Sequence, residues 1–149
     1  MKNNKFIKIF STFILASLLS MNLCAEEIKI DSSELNILDG GNILQGKNGF
    51  KSYSGTGFEI TGDEFKYDKN KNTLEARGNI ILIDKIKNMI IEGDNIKYFK
   101  NNDKLFIQGS TYINIKNEYF ISSNDVIYEK KNNLIFSNNK TELIDLNKN

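Results

Sequence analysis

Three aspartates, Asp63, Asp94 and Asp125, recur at a fixed step of 31 residues. Stacked in a repeating fold, such carboxylates could form a ladder for a metal ion. Each follows a Gly or Asn, in Gly62-Asp63, Gly93-Asp94 and Asn124-Asp125. These pairs suit corners where the carboxylate satisfies backbone groups, and that is the reading we adopt. Asp63 and Glu64 are neighbours, so along a strand they point to opposite faces and cannot share acid–base work. Tyr67, Tyr98 and Tyr128 recur once per copy. They read either as a stacking ladder for a sugar or lipid or, more simply, as an inward aromatic row that stabilises a sheet. The chain has no His, so the commonest general base and metal ligand is missing. Its one cysteine is Cys24. We expect no catalytic residues, no metal and no cofactor.

The elements that position these residues repeat as a unit. Phe58-Glu-Ile-Thr-Gly-Asp63 aligns with Met89-Ile-Ile-Glu-Gly-Asp94, Phe65-Lys-Tyr67 with Ile96-Lys-Tyr98, and Leu74 to Gly78 with Leu105 to Gly109, all at a step of 31. A weaker copy holds Tyr119 to Ser123, Val126, Tyr128 and Ile135. A divergent first copy holds Ile28, Ile30, Leu35, Ile37, Leu44 and Phe50. A fixed period of this size marks stacked units that cannot bury their apolar faces alone.

Within a copy the apolar period is two, as in Phe58 and Ile60, Phe65 and Tyr67, and Leu74 through Leu82. That alternation, with β-branched and aromatic residues dominant, predicts strands with one face inward. The parity slips at Gly62-Asp63, Gly93-Asp94 and Ser123-Asn124. A slip turns the next strand inside out unless a bulge or corner absorbs it. The polar runs Asp68–Asn72, Lys100–Asp103 and Lys130–Asn133 read as hairpin tips, as does Asp39-Gly40-Gly41-Asn42. Gly78 and Gly109 read as backbone devices inside strands. The expected fold is all-β: an antiparallel β-jellyroll of about four hairpin-like repeats of 30–31 residues, giving about eight bent strands, or up to about sixteen short ones if each corner breaks a strand. Open strand edges are expected at both ends.

The amino terminus reads as a signal peptide over residues 1–25. Lys2, Lys5 and Lys8 precede the apolar run Ile9–Leu19, and Ala25 is a small residue at the cleavage position. Bulky Leu23 before Cys24 argues against a lipid anchor. Removal leaves one domain over 26–149 and takes the 20 Lys and Arg to 17, against 19 Asp and Glu. A mildly acidic chain has no footprint for nucleic acid.

The run Ile60, Asp63, Phe65, Tyr67-Asp68, Asn72, Leu74, Ala76 and Gly78-Asn79-Ile80 resembles the OstA-like domain family. That domain is shared by LptA and by the N-terminal periplasmic domain of LptD. The resemblance covers Glu26 to about Leu146 and implies a folded-over jellyroll, the "β-taco", with no enzymatic activity. It implies a periplasmic protein that carries the acyl chains of lipopolysaccharide between inner and outer membrane. It further implies bridge partners of the same fold, including other copies of the chain, joined by edge-strand addition. The groove lining it implies is the inward parity: Ile60, Phe65, Tyr67, Leu74, Ile80, Leu82, Ile91, Ile96, Tyr98, Leu105, Ile107, Ile113, Val126 and Tyr128. The Gly-rich first copy is closer to the LptD domain, so a fragment of that larger protein is an alternative. A structural β-repeat envelope protein with no lipid ligand is another. Periodicity alone does not separate an open groove from a closed core.

Overall fold

The computed structural model describes residues 28–55 and 57–147. The expected signal segment and its cleavage site lie outside the described residues. Ten strands follow one another: β1 (Ile28–Leu38), β2 (Ile43–Ser54), β3 (Phe58–Gly62), β4 (Glu64–Asp68), β5 (Thr73–Asp84), β6 (Met89–Phe99), β7 (Lys104–Ile115), β8 (Tyr119–Glu129), β9 (Leu134–Ser137) and β10 (Glu142–Asp145). All pairings are antiparallel. The count is ten because the bend separates β3 from β4 at Asp63, and β9 from β10 across residues 138–141.

Each long strand serves two half-sheets. The last residues of β2 pair with β3 and its first residues with β4, and β5 repeats the division. One half-sheet runs β1-β2-β3-β5-β6-β7-β8-β10, and the other exchanges β4 for β3 and β9 for β10. The corner between them is built by bulges. β5 fits Gly78 and Asn79 (φ 74 and 47) against the single Asp94 of β6. β7 bulges at Gly109 (φ 84) against both β6 and β8. The parity slips of the sequence fall at the break between β3 and β4, on β6 and on β8, and the extra residue is carried by the neighbouring strands. β-Bulges increase bend and twist in this way.

The hairpin tips are where the polar runs predict them. Asn72, Asp103 and Asn133 take left-handed backbone (φ 50, 51 and 55) at the same place in successive copies. Successive tips also bond to one another: Lys69 N to Asn42 O, Lys100 N to Asn72 O and Lys130 N to Asp103 O, at 2.9, 3.0 and 2.9 Å. The rim of the other half-sheet repeats this with Lys85 N to Gly57 O and Lys116 N to Asn88 O.

Candidate functional site

The register converts alternation along the strands into rows across them. In one half-sheet the inward row is Ile30, Ser52, Ile60, Leu82, Ile91, Ile113, Ile121 and Leu143. In the other it is Ile37, Leu44, Tyr67, Leu74, Tyr98, Leu105, Tyr128 and Ile135. A second row there joins Phe65, Ala76, Ile96, Ile107 and Val126. All fourteen residues expected to face inward are buried, and they belong to one apolar cluster with Phe50, Phe58, Ala76 and Met89.

The first copy departs from expectation. Leu35 and Ile37 align with Phe65 and Tyr67 in the repeat, yet Ile37 is 63% exposed and Leu35 is also exposed. They lie on β1, which has only β2 beside it. The parity is inward, but an end strand has less of the molecule around it. The opposite end matches: Leu143, Ile144 and Leu146 are exposed, with Leu143 at 61%.

The two half-sheets meet across the interior, opposite the corner. The rings of Phe58 and Tyr98 lie 5.4 Å apart. Tyr128 Oη donates to Asp84 Oδ2 at 3.0 Å. Lys87 Nζ, from the turn after β5, donates to Tyr128 Oη at 2.8 Å and to the Lys130 carbonyl, in the turn after β8, at 2.7 Å. The seam between the two rims is therefore closed here by side chains. Burial, and then the Asp84 carboxylate, push the Tyr128 phenol well above its ordinary range. Burial alone raises Tyr67. Burial lowers Lys87, and the Lys130 ammonium adds to this, while Asp84 and Asp103 pull the other way.

Asp84 is the buried polar residue of this cluster that pattern reading passed over. It continues the inward parity of Ile80 and Leu82 at the end of β5, and that parity was the available signal. Two of the corner aspartates, Asp63 and Asp125, act as turn residues. Asp63 N donates to the Gly78 carbonyl at 3.0 Å, and its Oδ2 accepts from Asn79 Nδ2 at 2.8 Å. Asp125 Oδ1 accepts from Gly109 N at 3.0 Å. The tyrosines are inward, and Tyr98 Oη donates to Asp103 Oδ1 at 2.7 Å. What the site offers chemically is apolar surface, with one polar cluster at its mouth.

No family model and no curated protein sequence matches the chain. Among solved structures it is similar to LptH, the LptA-homologous periplasmic component of the lipopolysaccharide transport device of Pseudomonas aeruginosa. The TM-score is 0.69 at 11% identity, over 80% of this chain and 94% of that one. At that identity the likeness is one of fold. The OstA-like resemblance read from the sequence holds at the structural level, and the antiparallel β-jellyroll is the shared architecture.

Proposed function

We propose that this chain is a non-enzymatic periplasmic protein that binds lipopolysaccharide by its acyl chains and forms part of the bridge carrying it to the outer membrane. The observation that carries the reading is the pair of largely apolar rows running from one end strand to the other. Seven inter-strand steps of roughly 4.8 Å give a track of about 34 Å. This exceeds the ~15 Å that one leaflet's tails occupy, taken as half of a roughly 30 Å hydrocarbon core. Each methylene transferred onto such a surface contributes about 0.8 kcal/mol. The similarity to a transport component supports the same reading. Export through a signal peptide cleaved after Ala25 belongs to the proposal.

The partners are other jellyroll chains, or further copies of this one. Strand addition at β1 and at β9–β10 would supply missing ladder partners and cover Ile37 and Leu143, where the rows reach the surface.

The filled interior favours a second reading, a structural β-repeat protein with no ligand. A photo-crosslinker in place of Leu105, which is fully buried in the inward row, separates the two in living cells. Capture of lipopolysaccharide is the expected result. Consistently empty crosslinks from a folded, exported protein would select the structural reading.

A further inference from the structure

Several lysines on this molecule are held by carboxylates. Lys85 pairs with Glu59, Lys97 with Glu75 and Lys104 with Glu129. Lys87 differs. Among the described residues it makes no ion pair. Its half-buried ammonium donates instead to two neutral acceptors, Tyr128 Oη and the Lys130 carbonyl. A second ammonium stands at the same mouth, since Lys130 Nζ lies 4.7 Å over the ring of buried Phe58. The carboxylates nearby are already engaged: Asp84 by Tyr128 and by the backbone N–H of Lys87, and Asp103 by Tyr98.

A partly desolvated cation bonded to neutral groups gains by exchanging them for an anion, because opposite charge adds Coulombic attraction to a hydrogen bond that only the donor's charge assists now. The surface beneath is apolar. The two features together suit one ligand chemistry, an anionic headgroup on acyl tails. We propose that the seam between turns 85–88 and 130–133 is where such an amphiphile passes into the interior, and that Lys87 leaves Tyr128 and the Lys130 carbonyl to bind its phosphate or carboxylate. This rests on the reading of the interior as a site for acyl chains. Burial lowers the affinity of Lys87 for its own proton, as does the Lys130 ammonium, against the pull of Asp84 and Asp103.

The test uses the purified protein with phosphatidic acid and phosphatidylcholine bearing identical brominated tails, read by quenching of the tyrosines. Wild type is expected to bind phosphatidic acid about tenfold more tightly, which corresponds to about 1.4 kcal/mol. Lys87→Met and Lys87→Gln should each bring phosphatidic acid down about tenfold, to the level of phosphatidylcholine, while Lys87→Arg should retain the preference. Two neutralising variants are used so that one misfolded protein does not decide the matter. An undiminished preference in both would overturn the assignment of Lys87 and leave the acyl-chain reading standing. Lys87-dependent binding of inorganic phosphate as tight as that of phosphatidic acid would overturn the amphiphile in favour of a free anion. Quenching of wild type by neither lipid would overturn the acyl-chain reading, and this proposal with it.

Discussion

The phenol of Tyr128 on β8 donates to the carboxylate of Asp84 on β5 at 3.0 Å, and both residues are only 1% exposed. The bond crosses from one half-sheet to the other. Asp84 Oδ1 also accepts from Lys87 N at 3.1 Å, so the carboxylate is compensated from both sides. Removing one partner leaves a buried charge under-satisfied, which costs more than the bond itself contributes. Tyr128→Phe is therefore expected to lose about 1–3 kcal/mol in urea unfolding. Asp84→Asn, which keeps an acceptor for the phenol and removes the charge, should lose less. A Tyr128→Phe protein as stable as wild type would show that the bond holds nothing together.

The corner makes a different demand. At Gly109 the backbone is left-handed, and an added Cβ would collide with Oδ2 of Asp94; Gly78 stands in the same relation to Asp63. Gly40 also has positive φ, but nothing lies within 4 Å of its missing Cβ. Gly40→Ala should cost about 1 kcal/mol, the conformational term alone. Gly109→Ala should cost more, about 1–3 kcal/mol. Adding Asp94→Ala should recover part of that loss, with a coupling of about 0.5 kcal/mol or more in a double-mutant cycle. Equal costs at Gly40 and Gly109 would mean the collision relaxes freely.

Much of this architecture was legible because it rests on local signals. Tyr67, Tyr98 and Tyr128 share a parity and nearly a fixed step, and the register sets them in one row. Asn72 and Asp103 mark tips because Asn and Asp accept left-handed backbone. What was not legible depends on distant partners. Asp84 looks like the polar end of a strand until Tyr128, 44 residues away, comes to face it. Leu35 and Ile37 carry the inward pattern, and only their place on an end strand leaves them exposed. Closure of the seam by Lys87 depends on how far two rims approach, which no periodicity encodes.

Ile96 lies in the second inward row, between Ala76 and Ile107, and is buried. Ile96→Asp places a carboxylate there without a partner. Several kcal/mol of stability should be lost, enough to unfold a domain of ordinary stability, or lipid loading should be abolished if it folds. Asn101→Ser, at an exposed tip, is the control and should stay within about 0.5 kcal/mol of wild type. Normal stability and normal loading in the Ile96→Asp protein would show that this face does not look inward.

Acid should destabilise the protein through its paired carboxylates. Hydrogen bonds from Lys85 and Lys51 lower Glu59, Lys97 lowers Glu75, and Lys104 with Asn132 lowers Glu129. Each has a folded pKa below the ordinary value of 4.5. Their contribution is complete above that value and is lost as pH falls through the folded values, because the unfolded chain binds protons first. The melting temperature should thus be nearly level from neutrality to the ordinary carboxylate value and fall below it. The lysines of these pairs are part-exposed, so molar salt should shrink the effect. A melting temperature that rises on acidification would contradict the pairing.

The end strands offer the sharpest separation of fold from assembly. Ile37 closes an apolar row on β1 and is 63% exposed, so it contributes little to the core of a single chain. Ile37→Lys should therefore change unfolding free energy by no more than about 0.5 kcal/mol. A strand added along β1 would cover that position, and a lysine buried there brings an unpaired charge into an apolar contact. Charged residues blunt strand edges by this mechanism. End-to-end association, measured by sedimentation with this chain alone or mixed with a jellyroll partner, should weaken by about tenfold or more. The opposite end should behave alike, with Leu143→Lys on β10 acting as Ile37→Lys does on β1. If either variant associates like wild type while folding normally, its strand is not where the next chain docks.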